Sequence, residues 1–407
     1  MDGRSTMRRL LLAVVLAGCL GAGEPSDGPV PEAAGAWAPP VLVGAGGFPD
    51  VGEASLAVGP DGTLLVCAVE SAKVFASQDS GATWTATEPF DGVTNGDCDV
   101  AVGDGLWYAA WARRADSVAV SRDGGATWTA TTVTPSPVQC VGNPVTGSQT
   151  LCAAHRPWLH AFGQTVYVTY YDLRPTVVLF GRSLDGGTTW DRPTLVASSP
   201  GFGVAGRMSV ADEGRTVRVP LLLPEPPPGD GYRVVVAESE DAGETWTSRV
   251  VAGALPVRFG FPSLADHDGR LTLATALENG TLADVVLFTS DDAGATWDGP
   301  TTLAPGVDFG ESMALLALDE GPEGAVAAWF HRVQGSGWTV TVTPELDPGA
   351  RRPPSDGPPL GGEDDYLEFF GMDHGPDGAL HIVVPVPEDA CEPEGPNCLY
   401  HLLAPRS

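Results

Sequence analysis

One eight-residue pattern recurs five times along the chain and limits what it can fold into. It first reads Ser77-Gln78-Asp79-Ser80-Gly81-Ala82-Thr83-Trp84. It returns from Ser121 to Trp128, Ser183 to Trp190, Ser239 to Trp246 and Ser290 to Trp297. Successive serines lie 44, 62, 56 and 51 residues apart. Self-similarity at such a period marks stacked supersecondary units. The chemistry of the pattern is that of a tight turn. Ser and Asp oxygens accept hydrogen bonds from backbone N–H groups, and Gly takes the positive φ that other residues resist. The aspartates Asp79, Asp123, Asp185, Asp241 and Asp292 are therefore assigned a structural role. Apolar runs precede the pattern, as in Arg233 to Ala237 and Val285 to Phe288, and read as strands.

A looser signal counts the units. A Gly- or Asp-containing turn between two apolar strands occurs seven times. These turns lie at 59–62, 103–105, 162–164, 212–215, 266–269, 320–324 and 374–378. Each unit reads strand A, turn, strand B, loop, strand C, Asp-containing turn, strand D. The 52 Gly and 37 Pro of 407 residues exclude a helical bundle. Seven four-stranded units predict an all-β, seven-bladed β-propeller over residues 37–407, with six blades as the alternative. The stretch Trp37 to Val43 resembles the fourth strand at Trp190 to Val196, and the seventh unit stops after its third strand at Leu399 to Leu402. The N-terminal strand is therefore expected to complete the last blade and remove an exposed edge.

The chain's start carries an address. Arg8 and Arg9 precede an apolar run from Leu10 to Leu16, and Leu16-Ala17-Gly18-Cys19 follows. This is similar to a bacterial lipoprotein signal, which implies a signal peptide at residues 1–18 and a lipid on Cys19. Met7 is an alternative start. Residues 19–36 are then a flexible tether. The expected location is the bacterial cell envelope, lipid-anchored at the outer membrane or cell surface. Export implies an oxidising compartment, so Cys67, Cys98, Cys140, Cys152, Cys391 and Cys398 are expected to form three disulfides. Fifteen pairings are possible; the simplest is sequential, 67–98, 140–152 and 391–398.

The five motif copies are Asp-boxes, and the region from about residue 37 to 407 resembles the sialidase-related Asp-box (BNR repeat) propellers. That group includes exo-sialidases (neuraminidases), other glycoside hydrolases and non-enzymatic binding proteins. The resemblance implies that the Asp-boxes face away from any active site. Two departures are visible. Sialidases are typically six-bladed, and their Arg-Ile-Pro signature is absent here.

In a propeller the D–A and B–C loops share one face. Arg156, Arg207 and Arg258 lie just before strand A of three consecutive units. Guanidinium forks suit carboxylates, so these three can form a triad for an anionic group. The alternative is that each pairs with an acidic loop residue. For a hydrolase, Tyr366 with Glu311 would supply the nucleophile pair, and Asp97 or Asp99 the acid. The net charge of −30, with Lys73 the only lysine, argues against nucleic-acid binding. No metal or cofactor is expected, since the seven histidines show no zinc spacing. The sequence favours a binding module for an acidic glycan or an envelope protein, and leaves a sialidase-type exo-hydrolase as the alternative.

Overall fold

The computed structural model describes residues 37–404, apart from 46–53, 69–72, 91–95, 113–116, 134–153, 174–175, 200–202, 227–228, 311–312, 322–323, 336, 344–345, 347–354, 361–369 and 387–397. Seven antiparallel sheets form a seven-bladed β-propeller. From the axis outward, blade one runs Ala54–Val58, Leu64–Ala68, Val74–Ser77 and Thr85–Thr87, and blade two Cys98–Val102, Trp107–Trp111, Ser117–Ser121 and Thr129–Thr132. Blade three is Ala154–Phe162, Thr165–Leu173, Thr176–Ser183 and Thr194–Ser199. Blade four begins with two short segments, Val204–Ala205 and Ser209–Ala211, both paired with Thr216–Pro224, and continues through Tyr232–Ser239 and Thr247–Leu255. Blade five is Ser263–His267, Arg270–Asn279, Leu282–Ser290 and Asp298–Val307, and blade six Leu316–Gly321, Gly324–Val333, Gly337–Val342 and Ser355–Asp356. The first and second strands of all seven blades flank the anticipated turns; of the sixth turn, residues 322–323 lie outside the described residues.

Blade seven closes the ring as expected. Its own strands are Gly371–His374, Leu380–Val386 and Cys398–Leu403, and the fourth is the N-terminal Val41–Ala45, antiparallel to Cys398–Leu403. This closing strand starts later than the sequence suggests. Pro39 and Pro40 have no N–H to give to a ladder. Trp37 instead reaches blade six, where its indole N–H donates to Ser355 Oγ at 3.0 Å.

Burial follows radial position. The second strands of blades one and two are buried at every residue. The outermost strands of blades four and five are mostly exposed. Parallel packing of sheet faces explains this: inner strands are covered by both neighbouring blades, and outer ones face water.

The five Asp-boxes are superimposable turns. In the first, the N–H of Gly81 donates to the buried Ser77 Oγ at 2.9 Å, and the N–H and hydroxyl of Thr83 donate to the two oxygens of Asp79 at 2.8 and 2.6 Å. The same three bonds recur around Asp123, Asp185, Asp241 and Asp292. The box tryptophans are half-buried and face the preceding blade. Trp128 donates to Thr87 at 3.2 Å, Trp190 to Thr131 at 3.0 Å and Trp246 to Thr194 at 3.0 Å. Trp84 makes the corresponding step across the closure, edge-on to His401 of blade seven with ring centres 5.7 Å apart. Among the described residues no helix is long and apolar enough to cross a membrane.

Candidate functional site

The inner edge of blade four is interrupted where Pro220 faces it. Pro220 cannot donate, so the ladder between Val204–Ala205 and Ser209–Ala211 breaks there. Gly206 fills the break: its N–H donates to Pro220 O at 2.8 Å, and a Cβ at that position would lie 1.7 Å from Pro262 O. The next residue, Arg207, is thereby turned out of the sheet toward the axis.

Its guanidinium is held across the axis by one nitrogen. Arg207 Nη2 donates to Asp99 Oδ1 at 3.0 Å, to Leu56 O at 3.2 Å and to Ser55 Oγ at 3.4 Å. Asp99 has no exposed surface, whereas 30% of the Arg207 side chain is open. The same carboxylate accepts the Ser55 hydroxyl, and the Leu159 N–H at 2.6 Å. One buried carboxylate thus joins the inner strands of blades one, two and three to Arg207 of blade four. Burial disfavours the Arg207 charge, but Asp99, Asp373 and Asp319 outweigh it and raise the pKa.

Arg207 lines an axial cavity of about 240 Å³ together with His160, Ser209, Asp266, Asp319 and Asp373. Asp266 is paired with Arg218, and Asp319 Oδ2 accepts the His374 Nδ1–H at 2.5 Å. Asp373 Oδ2 accepts the Val58 N–H at 2.7 Å. Burial first, and then the neighbouring Asp319 charge, push Asp373 up to about 7. Burial, with Arg207 second, holds His160 down at about 4. The cavity thus brings the Arg207 cation beside Asp373, whose carboxyl is pushed up to about 7. On the side of the first-to-second-strand turns it adjoins a wider mouth of about 710 Å³, flanked by Gly59, Gly103, Phe162 and Gly375.

The other anticipated residues are distributed differently. Arg156 does not precede its strand but lies within Ala154–Phe162, at a register break with φ of 38°. Its side chain is 2% exposed and lies against Trp158 and Phe261, 4.9 and 4.7 Å from the ring centres, with Asp97 at 3.9 Å. The Arg156 N–H also donates to Asp97 Oδ2 at 3.1 Å. Arg258 precedes Ser263–His267 as anticipated and donates to Gly310 O at 2.9 Å. Of the three arginines, Arg207 is the one the structure brings to the axial cavity. Asp97 and Asp99 are both engaged with arginines and with backbone N–H groups of blade three. Cys67 and Cys98 form the expected disulfide, tying blade one to blade two; Cys398 is also disulfide-bonded. Cys19, Cys140, Cys152, Glu311, Tyr366 and Cys391 lie outside the described residues. Among the described residues no group of three or more His, Cys, Asp or Glu side chains could hold a metal ion.

Asp319 and Asp373 were not singled out by sequence reasoning: each stands one residue before an anticipated turn, at 320–324 and 374–378. A signal does exist. Asp266, Asp319 and Asp373 each stand two or three residues before a turn glycine, in three consecutive blades.

Fold and motif together define a sialidase-like BNR β-propeller. The chain belongs to the family described as BNR repeat-like domain, whose model matches residues 100–311. No curated protein matches it. Among solved structures it is similar to the α-L-arabinofuranosidase of Fusarium graminearum in complex with arabinobiose, at 16% identity over 75% of this chain and 98% of that one, TM-score 0.46. It is also similar to the Penicillium chrysogenum α-L-arabinanase complexed with arabinobiose, at 13% identity over 90% and 98%, TM-score 0.48. The leech intramolecular trans-sialidase matches at 14% identity over 85% and 67%, TM-score 0.45.

Proposed function

We propose that this chain is an exported, lipid-anchored propeller that binds an acidic glycan or an acidic group of an envelope protein at its axial cavity. The observation that supports this is Arg207. Its three hydrogen bonds all leave from Nη2, and Nε and Nη1 have no partner among the described residues. A guanidinium fixed at one corner and open at two others suits a carboxylate or sulfate oxygen. The lipid on Cys19 and the envelope location belong to the same proposal and rest on the signal sequence.

Hydrolysis is the weaker reading. An acid catalyst needs an accessible carboxyl, and both Asp97 and Asp99 are tied to arginines, Asp99 without any exposed surface. The test is calorimetric titration of the full chain with sialylated and uronate-containing oligosaccharides, beside Arg207→Lys, which keeps the charge and loses the fork. Binding weakened at least tenfold in that variant supports the proposal. Equal affinity removes Arg207 from the contact, and turnover of a fluorogenic sialoside that is abolished by Tyr366→Phe would establish the hydrolase instead.

A further inference from the structure

The two middle strands of the closing blade carry a buried pair of histidines. His381 stands on Leu380–Val386 and His401 on Cys398–Leu403, the strand to which the N-terminal Val41–Ala45 is bonded. Val41 is the direct register partner of His401. The rings stack with centres 5.2 Å apart, and His381 Nδ1 faces His401 Nε2 at 2.9 Å. That contact needs one proton between the two nitrogens. With both rings doubly protonated, two N–H groups would point at each other in a space from which water is excluded.

The pair is also wedged between blades. Gly81 of the first Asp-box lies against His401, where a Cβ would fall 2.3 Å from the ring, and Trp84 packs on its edge. Five box copies hold glycine at this position, but here its missing side chain makes room for an imidazole of the last blade. Blade one and the strands Val41–Ala45 and Cys398–Leu403 of the closing blade therefore meet around this pair.

We infer that the His381–His401 pair is a proton-operated latch on the propeller ring: neutral, it holds the closing blade to blade one, and protonation of both rings releases the N-terminal strand. The surrounding charges do not stabilise protonated rings at His401. From the innermost strand and turn of the same blade come Asp373, His374 and Asp377; Asp377 favours the charged form of His381 and His374 opposes it. From blade one comes Asp79, whose oxygens are occupied by Thr83 and Ser77. Val41–Ala45 brings no titratable group. Burial holds both rings below the ordinary histidine range, His401 at about 3. A released strand binds more protons than a latched one, so the latch is at full strength above about pH 6.5 and weakens as pH falls toward about 3.

The test is amide hydrogen exchange on the full chain between pH 7.5 and 4.5, expressed as protection factors. Below pH 6.5, protection in Val41–Ala45 and Cys398–Leu403 is expected to fall by about tenfold per pH unit for each ring that titrates on release. Protection in Tyr232–Ser239 and Leu282–Ser290 is expected to hold over the same range. His401→Gln, which keeps a hydrogen-bonding side chain but cannot titrate there, is expected to flatten the slope. An unchanged slope in that variant, or a wild-type fall shared equally by all blades, overturns the inference. Imidazole nitrogen shifts of the wild-type chain decide the matter if the variant does not fold. Both rings neutral at pH 5.5 supports the latch, and either ring titrating near 6.5 with the strands still protected overturns it.

Discussion

Asp99 of blade two and Arg207 of blade four are bonded across the propeller axis, Nη2 to Oδ1 at 3.0 Å, with the carboxylate fully buried. Because Asp99 also accepts the Leu159 N–H and the Ser55 hydroxyl, it serves as an axial tie between blades and as the group that orients Arg207. Asp99→Asn removes the charge bonded to the guanidinium and leaves Arg207 only the more distant Asp373 and Asp319. Removing one partner of a buried pair costs about 3–5 kcal/mol, and the open part of Arg207 places this case at the lower end, about 3 kcal/mol. Chemical denaturation measures it. A loss below about 1 kcal/mol would mean that Asp99 is not a tie.

Gly206 is required by space and not by backbone conformation. A methyl group there would meet Pro262 O at 1.7 Å, so Gly206→Ala must push blade four away from the loop before blade five. Overpacking of this kind costs about 1–3 kcal/mol. It is also expected to move Arg207 and weaken any ligand it holds, whereas Gly269→Ala, at a φ of 82° with nothing within 4 Å of the added atom, should cost about 1 kcal/mol of backbone strain and leave ligand affinity as it is. Paired denaturation and titration experiments distinguish the two effects.

The Cys67–Cys98 disulfide joins blades one and two across a separation of 31 residues. In the chain-entropy account a loop of that length contributes about 3–4 kcal/mol. Cys67→Ser is expected to lower stability by that amount. Its effect should be concentrated in blades one and two, as read by hydrogen exchange. A uniform loss over all blades would show that the bond acts on the ring as a whole.

Below the range of the histidine pair, the Asp-boxes are expected to make the fold acid-sensitive a second time. Thr hydroxyl and N–H groups hold Asp79, Asp185, Asp241 and Asp292 down at about 2, and Asp123 below its ordinary value. Folded-state values below the unfolded 3.8 mean that this stabilisation is complete above about pH 4 and is lost as pH falls from there toward 2. The thermal midpoint is expected to drop steeply in that window. Replacing all five aspartates by asparagine should shallow the drop while lowering stability at pH 7. An equally steep drop in the quintuple variant would assign acid sensitivity to other carboxylates.

The sequence by itself determined the repeat, the number of blades, the turn at each unit and the closure by the N-terminal strand. These follow from local chemistry: Ser, Asp, Gly and Thr at fixed offsets close a turn whatever surrounds it, and alternating apolar runs form strands wherever they find a partner. The Cys67–Cys98 bond was legible for the same reason, as the simplest of the allowed pairings. The tertiary structure alone decided what the arginines do. Three arginines at matching positions in three units look equivalent along the chain, yet Arg156 is buried against Trp158 and Phe261, Arg258 caps Gly310, and Arg207 reaches the axis because Pro220 breaks the ladder opposite it. Asp99, a possible acid in the sequence, proved to be a buried tie, and Asp319 and Asp373, which the sequence did not single out, line the axial cavity. The axis is where seven strands from distant parts of the chain converge. Which charges meet there depends on how each blade leans inward, a property of the packed ring that no local stretch of residues contains.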